Sequence, residues 1–443
     1  MLDEHTWALL RRLTRWLDQF RSCFGHRAQV ASLMQYVHGL LGDSPRKSMQ
    51  AMLARVTEPV SYQAFQHFIT HAPWDVAPVW RQLLAVLPER RGVLIVDDTG
   101  FPKQGTQSVG VARQYSGTLG KIANCQVAVT AALWTGVRAW LLGAELYLPE
   151  PWLTAARRHQ ARIPSRVQFQ EKWRLALTLI RRARATGVWV DLVVADAGYG
   201  DAQPFRTALE RMRLAYVVGV SSTLTVWPGV PHVVPSPPQP RGGRPRTRVV
   251  IASDTPPVNV ATWAAQQPLR AWRRVTWRNG PNHPWAARFI AVRVTPVVLW
   301  RRKQRLQAVW LLCQRPLGAT TASKHDKYFV SNLPATTSLH ALVRAAHQRW
   351  AIEQQYQDLK DELGFDHFEG RSYPGWQHHA VITAVAYAFL QKERMRPRAG
   401  PRLTFPQARA IVQEIFTGLL FLSRPRYMQW MRQAETRFRQ LRI

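Results

Sequence analysis

The sequence predicts an α/β fold: a mixed sheet with flanking helices, an inserted β-rich subdomain, and helical regions at both ends. Three observations predict it. Val93-Leu94-Ile95-Val96 runs into Asp97-Asp98-Thr99-Gly100, and Leu192-Val193-Val194-Ala195 runs into Asp196-Ala197-Gly198-Tyr199-Gly200. Apolar runs of this length, bounded by turn residues, read as strands buried on both faces, and their carboxyl ends are where open α/β sheets place ligands. The third observation is Thr337 to Leu363, where Leu339, Leu342, Val343, Ala346 and Trp350 recur with helical spacing before Gly364. That spacing predicts one long amphipathic helix.

The charge balance narrows the partners. Of 443 residues, 60 are Lys or Arg and 27 are Asp or Glu, a formal net charge of +33. The excess is beyond what solubility requires and predicts a polyanionic partner, nucleic acid ahead of an anionic membrane surface. No apolar run approaches the length of a spanning helix, and the start MLDEHTWALLRRL does not read as a signal peptide. Cys23, Cys125 and Cys313 are odd in number and lack zinc-ligand spacing, so reduced thiols in a cytoplasmic protein are expected. A chain of this length accommodates two or three domains with sizeable cores.

Thr6 to Phe20 sets Trp7, Leu10, Leu13, Trp16, Leu17 and Phe20 on one helical stripe, with Arg11, Arg12 and Arg15 opposite. Helices are expected next over Gln29–Leu41, Met49–Val56, Ser61–Thr70 and Val76–Leu87. Gln63, Gln66 and His67 suit a DNA groove and a solvated face equally well. After Pro88 the pattern turns to strands: Val93–Asp98, then strands near Gln126–Leu133 and Ala139–Leu146. The Gly-rich connection between the first two carries Lys103, Arg113 and Lys121 and lacks the P-loop arrangement. It is expected to form a hairpin-like strand pair whose cations meet phosphates. A helix over Gln168–Ala185 would turn Phe169, Trp173, Ala176, Leu177 and Ile180 inward, and a helix over Pro204–Met212 and a strand over Leu214–Val220 follow Asp196.

From Ser221 to Lys324 the texture changes. Pro228, Pro231, Pro235, Pro237, Pro238, Pro240 and Pro245, mixed with Arg241, Arg244, Arg246 and Arg248, read as a basic extended linker. Arg270–Trp277, Arg288–Val298 and Gln307–Cys313 read as strands in a region where Trp is interleaved with Arg. That mixture suits stacking on an unpaired base, while for any one of Trp277, Trp300 and Trp310 the filling of a small β-core is the favoured reading. Past a strand over Tyr328–Leu333, His378 and His379 open a helix over Trp376–Met395. No Cys or third His stands at ligand spacing, so a structural or phosphate role is expected for them rather than zinc. Basic helices are expected over Phe405–Leu422 and Pro425–Leu441.

Continuing the turn count of the Thr337–Leu363 helix puts Glu353 on the buried stripe, with Arg349 and Lys360 along its edge. A carboxylate there is costly unless it is paired or binds a metal, and a salt bridge to Arg349 or Lys360 is the plainer alternative. Two strand-end Asp and one helical Glu would form a hard, all-oxygen donor set, suited to Mg²⁺ or Mn²⁺ rather than zinc.

The blocks VDDTGFPKQGTQSVGVARQYSGTLGKIANCQVAV, VVADAGYG and YFVSNLP…RWAIEQQYQDLKDELGFDHFEGRSYPGWQHH carry a family resemblance. From about Arg46 to about Lys392 the chain resembles the DDE transposases of bacterial insertion sequences, specifically the insertion-sequence 701 family. The resemblance implies an RNase H-like sheet, with Asp98, Asp196 and Glu353 as catalytic and metal-binding residues. Arg349 and Lys360 match the basic, DNA-contacting residues of the signature around Glu353. Ala346 departs from it, since relatives often carry Tyr three residues before the Arg.

The implied activity is cut-and-paste DNA transposition: strand cleavage and strand transfer supported by two Mg²⁺ ions, with Mn²⁺ as a substitute. Double-stranded DNA, both terminal inverted repeats and target, is the implied partner. A homodimer in the DNA complex and a bacterial, nucleoid-associated cytoplasmic location are implied with it; no membrane is. The implied organisation is a helical DNA-binding domain over 1–88 and the catalytic domain over 89–220 and 326–395. The linker and insertion fill 221–325, and a basic helical region covers 396–443. Arg349, Lys360, Lys103, Arg113 and Lys121 are the expected DNA contacts. By strand alternation Asp97 faces away from Asp98, and Asp201 is expected to cap the following helix. Glu369 competes with Glu353 for the third acidic position. A silent DNA-binding regulator and an RNase H-like nuclease without strand transfer are the alternatives.

Overall fold

The computed structural model describes residues 4–117, 119–235, 249–251, 256–280, 284–297, 307–397 and 400–423, with positions 429, 433 and 437. Most of the Pro/Arg linker, Trp300 and most of the expected Pro425–Leu441 helix lie outside the described residues. The chain divides into two compact units. One comprises Met1–Arg91, Asp98–Trp189 and Ala351–Ile443; the other comprises Gly92–Asp97 and Val190–Trp350. Strand β1 (Arg91–Pro102) contributes residues to both.

In the first unit the amino-terminal helices run over Glu4–Asp18, Arg27–Leu41, Met49–Leu53, Tyr62–Thr70 and Val76–Val86. The side chains of Ser48, Ser61 and Asp75 cap the last three, each accepting a backbone N–H of the first turn. These helices pack against helix Tyr373–Glu393, which is buried on every side from Gly375 to Gln391, as expected of a helix in a core. Trp16 Nε1 donates to its Val385 carbonyl at 3.1 Å. The antiparallel strands β2 (Ala112–Ser116), β3 (Lys121–Trp134) and β4 (Ala139–Leu146) complete the unit, with Arg113 opposite Asn124 in the β2–β3 hairpin. Helix Lys172–Ala185 packs across β3 and β4 through Ala176, Leu177, Leu179 and Ile180. It starts later than the expected Gln168, so Phe169 precedes it and lies exposed against the edge of Tyr147.

The second unit is built on β5 (Trp189–Ala195) and β6 (Tyr216–Val220), which pair in parallel through the helices Ala197–Gly200 and Gln203–Arg211. Gly200 allows this crossover to sit tightly, because a Cβ there would strike the Gly219 carbonyl of β6. Asp201 does not cap the following helix; its Oδ1 accepts from Ser221 N at 2.9 Å and Ala202 takes the cap position.

The inserted strands follow: β7 (Thr225–Pro228), β8 (Val233–Pro235), β9 (Val249–Ile251), β10 (Val258–Asn259), β11 (Arg273–Asn279), β12 (Pro284–Pro296) and β13 (Val309–Arg315). Apart from the β8–β9 pair, they extend the sheet. Strand β14 (Lys327–Ser331) pairs antiparallel with both β6 and β13, and β12, β7 and β10 continue outward while β11 pairs with β12. Leu192, Val194, Val217, Phe289 and Leu312 pack with Leu342 and Val343 of helix Leu339–Ala346 into one core. Trp277 stacks on His347 at 3.9 Å and packs against that core, as does Trp310, whose Nε1 donates to the Pro334 carbonyl. For these two tryptophans the core role is the one observed. Among the described residues, no helix is long and apolar enough to cross a membrane.

The expected continuous Thr337–Leu363 helix is a series of shorter pieces. Helix Leu339–Ala346 gives way to a 3₁₀ turn over His347–Arg349, then to helix Trp350–Gln357, then to a π-helical turn over Asp358–Glu362. Apolar spacing does not distinguish these geometries, since three-, four- and five-residue steps all return toward the same face. The stop is where the sequence puts it, at Gly364 with φ +65°.

Candidate metal centre

Asp97 and Asp98 are consecutive on β1, and Asp196 follows β5 at the start of helix Ala197–Gly200. Each offers a carboxylate oxygen, and the three oxygens lie within 4.8 Å of one another. The alternation that would turn Asp97 away from Asp98 is therefore overturned: carboxylate oxygens of these neighbouring residues lie within 4.8 Å of each other and of Asp196.

Among the described residues, Arg349 and Lys172 each pair with an acid of this cluster. Arg349 Nη1 donates to Asp97 Oδ2 at 2.5 Å, and Asp97 is only 6% exposed. Lys172, in the first turn of helix Lys172–Ala185, forms an ion pair with Asp98 Oδ2 and lies 5.7 Å from the centre of the Tyr147 ring. Sequence reasoning passed over Lys172. The available signal was its position, since a cation at a helix amino terminus opposes the helix dipole and needs an anionic partner.

Glu353 stands outside the three-aspartate group. It is an exposed residue of helix Trp350–Gln357 rather than part of a buried stripe, because the 3₁₀ turn before it changes the phase of the faces. One turn on, Tyr356 Oη lies 2.5 Å from Thr130 Oγ1 of β3. The competitor Glu369 is exposed and pairs with Arg46.

The other expected DNA contacts divide in two. Arg113 and Lys121 are exposed on the β2–β3 hairpin. Lys360 Nζ donates to the Gly100 carbonyl at 3.0 Å and lies 5.5 Å from the Phe101 ring centre, and burial lowers its pKa. Lys103 Nζ donates to the Asp366 and Phe368 carbonyls at 3.1 and 2.7 Å, and burial lowers its pKa to about 8. Lys360 thus ties its turn to strand β1, and Lys103 ties the end of that strand to the segment after Gly364. His378 is also structural: its ring nitrogens bond the Ile69 and Trp74 carbonyls. His379 lies between the Tyr36 hydroxyl and the Gly364 carbonyl.

Fold and site together define an α/β protein with a cluster of acids, capable of holding a metal ion, two within strand β1 and one just past the end of β5. The chain belongs to the DDE superfamily of endonucleases, whose family model matches residues 19–284. That match includes Asp97, Asp98 and Asp196 and ends before Glu353. The mixed sheet with flanking helices is the RNase H-like architecture of that superfamily. Over 195 residues the chain is 32% identical to a protein of Microchaete diplosiphon described as a probable transposase for insertion sequence element IS701. The aligned part is 42% of this chain and 48% of that relative, so it spans about half the relative's length.

Proposed function

We propose that this endonuclease-superfamily chain is a DNA transposase, which cuts the ends of its insertion sequence and joins them to target DNA. The observation that carries the proposal is the three-aspartate cluster. Its all-carboxylate donor set fits a hard divalent cation, Mg²⁺ with Mn²⁺ as a substitute, and Asp98 and Asp196 are the ligands we assign. Bound there, two such ions would supply Lewis-acid stabilisation of charge on the reacting phosphate. Glu353 is proposed as the third catalytic carboxylate, supported by the signature around it and by its exposure, which leaves it accessible to a DNA strand. Arg349 supports the site from behind by fixing Asp97. Arg113 and Lys121 are the proposed phosphate contacts, while Lys103 and Lys360 would have to give up carbonyl partners to reach DNA.

The net charge of +33 supports double-stranded DNA, terminal repeat and target alike, as the partner. Residues 1–88 are proposed to bind it, with the exposed Gln63, Gln66 and His67 of helix Tyr62–Thr70 available to a groove. Two protomers acting on two ends, in a bacterial cytoplasm, complete the proposal. The test is nicking and strand transfer on labelled end DNA with Mg²⁺ or Mn²⁺. Asp98→Asn, Asp196→Asn and Glu353→Gln should each lower cleavage by more than roughly a hundredfold, since outer-shell partners alone are worth ~10–100-fold. DNA retention should survive in all three. Cleavage that persists in Asp98→Asn or Asp196→Asn would refute the assignment.

A further inference from the structure

The two cations at the aspartate cluster are not equivalent. Arg349 grips a carboxylate whose side chain is 8% exposed, whereas in the Lys172–Asp98 pair the side chains are 36% and 24% exposed. A guanidinium is a rigid, planar donor; an ammonium is a point charge on a flexible stem. Lys172 also has a second place to rest, the Tyr147 ring 5.7 Å from its nitrogen. Its position in the first helical turn opposes the helix dipole, so helix stability does not account for it.

We propose that Lys172 is an exchangeable counter-ion for the metal site: a positioning residue that balances Asp98 before a divalent cation arrives and then yields the carboxylate to it. Three carboxylates within 4.8 Å repel one another, and Lys172 and Arg349 relieve that repulsion without a metal. When a cation binds, the Lys172 stem turns its ammonium toward Tyr147, where the attraction of the ring face replaces part of the lost ion pair. Metal binding is thereby set against a resident positive charge, which disfavours monovalent ions. The inference rests on the assignment of Asp98 and Asp196 as ligands.

The experiment is Mn²⁺ titration of the full-length, DNA-free protein, following free Mn²⁺ by electron paramagnetic resonance. Lys172→Gln should bind Mn²⁺ about fivefold more tightly than the unsubstituted protein, the scale of a partly exposed ion pair. Lys172→Arg, which keeps the charge, should bind no more tightly than the unsubstituted protein. Lys172→Met replaces Lys172→Gln if circular dichroism shows the latter unfolded. Unchanged or weaker binding in the neutral variant overturns the inference while leaving the metal site intact. Failure of Asp196→Asn to reduce Mn²⁺ binding overturns the site assignment, and the inference with it.

Discussion

Arg349 Nη1 lies 2.5 Å from Oδ2 of the buried Asp97, so the arginine of the RWAIE signature is turned toward the protein's own carboxylate. The two residues come from opposite ends of the second unit's sequence. The bond therefore ties the strand carrying the first acids to the turn that precedes Glu353. A charged hydrogen bond to a buried carboxylate contributes about 1.5–3 kcal/mol, and partial exposure of the guanidinium reduces that toward ~1–2 kcal/mol. Arg349→Gln should accordingly lower unfolding stability by about that amount in urea titrations without DNA. Unchanged stability together with weakened DNA binding would instead make Arg349 a phosphate contact.

Arg113 and Lys121 face solvent on the β2–β3 hairpin, unlike Lys103 and Lys360, which bond backbone carbonyls. Neutralising an exposed phosphate contact weakens binding across all sequences and removes about one released counter-ion. Arg113→Gln and Lys121→Gln should each lower the slope of log affinity against log salt by about one, in fluorescence anisotropy with duplex DNA. An unchanged slope in both would mean that the hairpin does not meet the backbone.

Much of this architecture is legible in the sequence. Val93–Val96 and Leu192–Ala195 are strands because buried strands leave continuous apolar runs; Asp196 marks the end of its strand, whereas β1 continues past Asp97 and Asp98 to Pro102. The helix break before Glu353 was hidden, because Leu339, Leu342, Val343 and Ala346 fit a uniform helix as well as a broken one. Strand alternation also did not anticipate that Asp97 and Asp98 both bring an oxygen to the same cluster. For Lys172 the sequence offered only its place near a helix start and not its partner, which stands 74 residues earlier. The same distance problem concealed how the inserted strands pair: β13 and β14 extend the sheet from β6, a partner roughly a hundred residues earlier that local spacing does not indicate.

Asp358, in the π-helical turn that follows the Glu353 helix, is buried, and desolvation raises its pKa to about 6 from an ordinary 3.8. Gln354, Arg394 and neighbouring acids modify that shift only secondarily. Because the folded pKa is the higher one, the folded state binds more protons than the unfolded state between about pH 3.8 and 6. The resulting stability is fully present below pH 3.8 and is lost as pH rises through 6, so at neutral pH the ionised carboxylate is a burden on the fold. Asp358→Asn removes that burden and should stabilise the protein at pH 7.5 by on the order of 2 kcal/mol, raising the thermal midpoint by a few degrees. The advantage should shrink steadily as the melts are repeated toward pH 4, where the unsubstituted Asp358 is itself neutral. An Asn variant less stable than the parent at pH 7.5 would mean that the ionised carboxylate holds this turn together, and would make Asp358 a structural anion rather than a strained one.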